Sequence, residues 1–138
     1  MTIVDLTGMA ILEIRDFPAV TAIVGQKTRP EFGAGEGPPA VIIHQLGIDY
    51  HPTGAFRARL QRPMFAALCY GVTRVQAAQV ANAVVEAIEL RDIRRDASNR
   101  LVFASLVESG GDVVLDPDTK WPFATVTFTY LGAQQAIA

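Results

Sequence analysis

The chain has 138 residues, of which 50% are hydrophobic and 19% are charged. This size and composition are typical of a globular domain with its own core, and they exclude an intrinsically disordered chain. The net charge of −2 excludes a strongly basic nucleic-acid-binding protein. We expect a single domain over residues 1–138, in which the small, unpatterned residues 131–138 form a loose tail.

The cysteine content and the lack of export or membrane segments indicate the cellular setting. Cys69 is the single cysteine, so no intramolecular disulfide is expected. The N-terminus has neither the basic region nor the apolar run of a signal peptide, and no segment approaches the ~18 consecutive apolar residues of a membrane span. We therefore expect a protein that is made and used in a cytoplasm, with no membrane partner.

The first quarter of the chain has helical spacing. Apolar residues recur at three and four positions over 3–24, and Pro18 suits the first turn of a second short helix. Asp16 is the candidate N-cap of that helix and Gly25 its C-terminal stop. The glycines and prolines of 26–39 predict a surface loop, since the strand and helix that flank a phosphate-binding loop are missing from the pattern.

Two strands are predicted next. Residues 40–48 are rich in β-branched side chains, a turn is expected over 49–54, and 55–61 alternate between polar and apolar. The second strand resumes over 64–70. Pro63 marks a bulge, a corner or an edge position, because proline cannot donate to a strand ladder.

A helix over 73–90 is the strongest predicted element. Thr73 and Gln76 have the spacing of a capping box, in which each side chain accepts a hydrogen bond from the backbone N–H of the other residue. The expected apolar stripe consists of Val75, Ala78, Ala81 or Asn82, Val85 and Ile88.

The last third of the chain predicts a charged loop over 91–100 and strands over 101–107 and 122–130. Asp116 and Asp118 favour a β-turn between the two strands, because the glycine and distal glutamate of a calcium loop are missing. The element order predicts an α+β fold. We expect a single antiparallel β-sheet of about four strands with two main helices packed on one face.

The sequence contains no convincing catalytic constellation. Cys69 lies within an apolar run, which favours a buried and inert thiol over a nucleophile. His44, Asp49 and His51 are residue types that bind zinc, but their spacing is not that of a histidine pair sharing one metal. We therefore predict no enzyme activity, no metal and no cofactor.

Arginines remain as candidates for an interaction surface. Arg57 and Arg59 share one face of a predicted strand in a stretch free of acidic residues. Arg91, Arg94 and Arg95 outnumber the acidic residues of their loop. A guanidinium pairs well with a carboxylate, so these five side chains are our candidate interface with an acidic partner, and a solvated surface is the alternative.

The order of these features resembles that of the tail terminator, or tail completion, proteins of long-tailed double-stranded DNA phages and phage-like elements. The resemblance covers roughly residues 9–131. It lies in the phrase Ala22-Ile23-Val24-Gly25, the strand entry at 38–43, the strand-to-helix segment at 70–78 with its alanine-rich helix, the loop at 116–119 and the final strand at 124–128.

This resemblance implies a structural protein of the virion tail that is assembled in the host bacterial cytoplasm. Such proteins form a homo-hexameric ring on the tail tube, stop tube polymerisation and offer the surface that joins tail to head. The implied partners are other copies of the chain, the tail tube protein and a neck or head-completion protein, with DNA as a passing contact in the ring lumen. We expect charge reversal at Arg94 and Arg95 to weaken assembly without unfolding the monomer.

Two other functions are compatible with the sequence. One is a different head–tail neck or connector component, which would purify with heads rather than tails. The other is a small α+β enzyme or ligand-binding domain, whose centre would be His44, Asp49 and His51.

Overall fold

Three helices and seven strands make up the described part of the chain. The structure is a computed structural model that describes residues 6–51, 60–89, 91–95 and 100–134. In chain order its elements are α1 (Leu6–Arg15), α2 (Pro18–Val24), β1 (Thr28–Arg29), β2 (Ala40–His51), β3 (Leu60–Tyr70), α3 (Arg74–Glu89), β4 (Arg94–Arg95), β5 (Arg100–Gly110), β6 (Val114–Leu115) and β7 (Pro122–Gln134).

The strands form one mixed sheet in the order β1-β2-β3-β7-β5-β4, and β6 pairs with β7 beside this path. β1 and β2 are parallel, and the other pairs are antiparallel. The predicted single antiparallel sheet of about four strands with two helices was therefore wrong. The three additional strands have two residues each, which is too short to show an alternation in the sequence.

The core lies between one face of the sheet and the three helices. Phe65 of β3 stacks on Phe128 of β7 with ring centroids 5.1 Å apart. The other buried side chains of this layer come from every helix and from the long strands: Leu6, Met9, Ala10, Ile14, Val20, Val24, Val41, Ile43, Ala67, Cys69, Val80, Ala83, Val84, Ala87, Ile88, Val102, Val126 and Tyr130. Along β7, the alternating residues Ala124, Val126, Phe128 and Tyr130 are buried on the face that meets the helices.

The start of α3 shows the predicted capping interactions in a slightly shifted form. The Gln76 N–H donates to Thr73 Oγ1 over 3.1 Å. The Gln76 side chain accepts from the N–H of Val72, one residue before Thr73, over 2.8 Å. Gly71 lets the chain turn tightly into the helix, because a Cβ at this position would lie 2.3 Å from the Ala77 nitrogen.

The buried face of α3 differs from the predicted stripe. Of the predicted stripe, Ile88 is buried and Ala81 and Val85 are half-buried, but Val75 is 68% exposed. Ala77, Val80 and Val84, which lie outside the predicted stripe, are buried. Small apolar residues occur around much of this helix, so its periodicity alone allows more than one inward face. The face that packs on the sheet combines the small residues Ala77, Ala83 and Ala87 with Val80, Val84 and Ile88.

The N-terminal helices break where the sequence predicts. Pro18 occupies the first turn of α2, and the Gly25 N–H donates to the Thr21 carbonyl. Gly25 has a φ of 63°, which favours glycine. The predicted cap was wrong, because Phe17 is the N-cap residue and Asp16 accepts a hydrogen bond from Arg15 instead.

Three predicted boundaries need correction. β2 continues to His51, through the region expected to turn. β3 runs unbroken through Pro63, which lies opposite Ile48 of β2. β7 extends to Gln134 because 131–134 pair with β3 and β5, so this half of the expected loose tail belongs to the sheet. The predicted strand residues 55–59 and the tail residues 135–138 lie outside the described part.

Candidate interaction surface

The arginines singled out in the sequence divide into two groups. Arg91, Arg94 and Arg95 lie between α3 and β5. Arg94 and Arg95 form β4, the strand at one edge of the sheet. Arg57 and Arg59 lie outside the described residues. The geometry therefore bears on three of the five candidates.

Arg94 is engaged inside the molecule. Its guanidinium pairs with both carboxylate oxygens of Glu13 on α1, and the contact from Nη2 to Oε1 is 2.7 Å. Nη2 also donates to Ser105 Oγ on β5 over 2.9 Å. The two ionic side chains are only 16% and 12% exposed. A charge pair this well covered and hydrogen-bonded fixes the helix to the sheet.

Tyr130 completes this cluster from the sheet. Its hydroxyl donates to Glu13 Oε1 over 2.8 Å, and the Arg94 guanidinium lies 5.2 Å from the centre of its ring. Burial, followed by the negative charge of Glu13, raises the pKa of Tyr130 well above its ordinary value. Burial disfavours the charged guanidinium of Arg94, but its bond to Glu13 outweighs this, so the pKa of Arg94 is raised. We call Glu13, Arg94, Ser105 and Tyr130 the ionic clamp.

Arg91 reinforces the same junction. Its Nη2 donates to the Glu13 carbonyl oxygen over 2.7 Å, and its Nε donates to the Ala87 carbonyl near the end of α3 over 3.2 Å. Its guanidinium lies 5.9 Å from the centre of the Phe17 ring. Arg91 therefore joins the end of α3 to α1 and to the start of α2.

Arg95 is placed differently from its two neighbours. It is exposed on β4, opposite Leu101 of β5. Arg100 at the start of β5 lies opposite Gln134, and the exposed Arg62 lies near the start of β3. These three arginines lie at the end of the sheet where β3 and β5 begin and β7 ends. We call Arg62, Arg95 and Arg100 the basic end.

The alternative chemical centres are also placed by the structure. Cys69 is fully buried, and burial raises the pKa of its thiol to about 12, so the predicted inert cysteine is confirmed. His44 is exposed on β2, and the backbone of Asp49 and His51 continues the same strand. Within the described residues, no three histidine, cysteine, aspartate or glutamate side chains are grouped to hold a metal ion. None of the described helices is both long and apolar enough to cross a membrane.

Sequence analysis missed an aromatic cluster at the opposite end of the sheet. Phe32 from the 26–39 loop lies 5.0 Å from Tyr70 and 5.3 Å from Trp121, measured between ring centroids. Phe123 lies 5.2 Å from Tyr70. Nothing in the local pattern joins these residues, since Phe32 and Trp121 come from two different connections and Tyr70 and Phe123 from two different strands. We call these four residues the aromatic clamp.

A turn supports the aromatic clamp. Asp116 accepts hydrogen bonds from the N–H groups of Asp118 and Thr119, as expected for the predicted turn. It also accepts from the Tyr70 hydroxyl over 3.3 Å. The backbone bonds, and to a lesser extent Tyr70, hold the pKa of Asp116 below its ordinary value. Partial burial and then the charge of Asp116 raise the pKa of Tyr70.

Comparison with known proteins finds a similarity of fold. No protein-family model and no curated protein matches the sequence. The fold is similar to that of a chain in a solved structure described as the virion of a native gene transfer agent particle. The TM-score is 0.67 at 11% identity, and the match covers 90% of this chain and 91% of that chain. At this identity the likeness shows that the two chains share a fold.

Proposed function

We propose that this protein is a structural component of a phage or phage-like virion, and that it terminates the tail tube as a homo-hexameric ring. The observation that carries the proposal is the fold shared with a virion chain over nearly the full length of both. The order of features along the sequence, which resembles that of tail terminator proteins, supports the same function.

The roles of the groups with shifted pKa values also support a structural function. Perturbed pKa values often mark catalytic sites, but every such shift found among the described residues has a packing explanation. Tyr130 and Arg94 belong to the ionic clamp, Tyr70 and Asp116 fasten a turn, and Cys69 is enclosed in the core.

The basic end is the proposed contact with an acidic surface of the tube protein, a neighbouring subunit or the neck protein. Arg95 is exposed there, and we keep Arg57 and Arg59 as further candidates because they belong to the connection between β2 and β3, whose paired ends His51 and Leu60 lie at this end. Arg91 and Arg94 are less suitable as contacts, since both are half-buried and hold α1 against the rest of the fold.

The proposed ring is tested by native mass spectrometry and negative-stain imaging of the purified protein, alone and with tail tube protein from the same phage or phage-like element. We expect either a six-fold ring with a central hole or a protein that caps tube ends when tubes are added. A monomer that ignores tubes contradicts the proposal. Purification with heads instead of tails would assign the chain to another neck component.

The interface is tested separately with Arg95→Glu. We expect this variant to keep the stability of the parent protein and to need at least a tenfold higher concentration for ring formation or tube capping. Val75→Glu is the matched control, since it places a glutamate on an exposed residue of α3. Equal assembly of both variants would remove Arg95 from the interface.

A further inference from the structure

The sheet has two open edges in its described part. β1 covers β2 only at Val41 and Ile42, so 43–51 pair with β3 alone. On the other side, β4 covers β5 only at Leu101 and Val102, so 104–110 pair with β7 alone. Each edge presents a row of backbone N–H and C=O groups that another strand is able to pair with.

β-Bulges divide each edge into segments. β2 has a register shift between Gln45 and Gly47, and β5 has shifts between Val102 and Ala104 and between Val107 and Ser109. Between its two bulges, β5 offers the regular segment 104–107. Neither this segment nor 46–49 of β2 contains lysine or proline, the residues that commonly block edge pairing.

The two segments lie at the same level of the sheet. The register runs from Gly47 on β2 through Met64 and Thr129 to Leu106 on β5. A second copy placed beside the first without displacement along the strands would therefore bring 104–107 next to 46–49. The strand directions suit such a contact. β2, β3, β7 and β5 alternate in direction, so β5 and β2 run oppositely and would pair in the antiparallel way.

The large side chains of the two edges near this level are apolar and exposed. Leu106 is 59% exposed on one edge, and Leu46 is 58% exposed on the other. A Cβ added at Gly47 would meet nothing within 4 Å. A neighbouring Leu106 has space above Gly47 and an apolar partner in Leu46.

We propose that copies of this chain associate edge to edge, with 104–107 of one copy pairing antiparallel to 46–49 of the next and Leu106 packing on Leu46 and Gly47. The two contact surfaces differ, so the contact is heterologous, and repetition around an axis along the strands closes a ring. This inference rests on the proposed ring for its closure, but the pairing of the two edges is tested independently.

The direct test is cross-linking of a Gly47→Cys, Leu106→Cys double variant with a short bis-maleimide linker, which tolerates a small offset in register. Cys69 is fully buried and does not compete. We expect the double variant to give a ladder of covalent oligomers that ends at the ring size. An equal mixture of the two single variants gives dimers only, because each chain then carries one reactive edge.

Controls separate this geometry from other contacts. Leu12→Cys with Leu106→Cys keeps one edge cysteine and moves the other to an exposed position on α1, and it should give no ladder. Dimers of Leu106→Cys alone would indicate a symmetric β5–β5 contact and overturn the proposal. A protein that stays monomeric and gives no cross-link at any concentration also overturns it.

A second variant tests the apolar contact. Leu106→Lys places a charge where Leu46 of the neighbour would pack, and we expect at least a tenfold loss of association with the monomer's unfolding midpoint unchanged. Val75→Lys is the control at a similarly exposed position. If six-fold rings persist in Leu106→Lys and the double cysteine variant gives no ladder, the edge contact is wrong and the proposed ring stands. If no ring forms with or without tubes while the ladder does form, the proposed function fails and the edge contact stands.

Discussion

The two clamps fasten different segments to opposite ends and opposite faces of one sheet, and they use different physics. Along β7, Tyr130 of the ionic clamp lies about 23 Å from Phe123 of the aromatic clamp, at ~3.3 Å per residue. The ionic clamp holds α1 through a covered carboxylate that bonds both an arginine and a tyrosine. The aromatic clamp holds the 26–39 loop through ring packing on Tyr70 and Trp121.

We expect the two clamps to lose different amounts of stability when one member is removed. A buried charge without its partner retains the cost of its desolvation, so the ionic clamp is expected to fail as a unit. Aromatic contacts are closer to additive, and the remaining rings still pack when one is truncated. The two ends should therefore differ in their tolerance of substitution, although both join distant parts of the chain.

The largest expected effect is that of Arg94→Glu. This variant places two carboxylates together in a site where the native side chains are 16% and 12% exposed. We expect a loss of about 3–5 kcal/mol in the free energy of unfolding, the range for breaking a buried pair. Urea denaturation followed by circular dichroism measures it.

The control for this variant is Arg95→Glu, which makes the same charge change on the exposed neighbour and should stay within about 0.5 kcal/mol of the parent. The sequence led us to expect a folded monomer after charge reversal at both Arg94 and Arg95. With Arg94 in the ionic clamp, we now expect this only for Arg95. Equal stabilities of the two variants would show that the ionic clamp contributes little.

A smaller effect is expected from Phe32→Ala at the other end. The half-buried ring contacts Tyr70 and Trp121, so its removal should lower the free energy of unfolding by about 2 kcal/mol. Trp121 is the single tryptophan, and its fluorescence should shift to the red as the loop loosens. Glu31→Ala, at the exposed neighbouring position, should change neither quantity. An unshifted spectrum in Phe32→Ala would contradict the packing described.

The smallest expected effect is on the stability of the protein at low pH. The pKa of Asp116 is lowered in the folded state, so the unfolded chain binds a proton more readily near the ordinary value of 3.8. Its contribution to stability is therefore present above that pH and is lost as the pH falls through the folded pKa. We expect Asp116→Asn to reduce stability at pH 7 and to leave it nearly unchanged at pH 2.

Parallel urea titrations at the two pH values check the effect, with Asp112→Asn as the control for loss of one acidic charge. A constant difference between parent and Asp116→Asn at both pH values would show that the carboxylate charge makes no contribution to the turn.

The candidate surface could be predicted only in part. The sequence shows an excess of arginine over 91–95, but it cannot show which of these side chains is covered and which is exposed. Glu13 is the partner of Arg94 across 81 positions, and Tyr130 lies still farther from Glu13 in sequence. Arg95, the next residue along β4, remains exposed because successive side chains of a strand point to opposite sides.

The sequence by itself determined those features that depend only on residues close together along the chain. The break before Pro18, the stop at Gly25, the capping interaction at Gln76 and the alternation of β7 each follow from backbone restrictions or from the order of residues within a few positions. The tertiary structure alone decided the inward face of α3, the two-residue strands, the two clamps and the open edges. These depend on which distant segments lie side by side, and a pairing between distant segments leaves no periodic signal in either one.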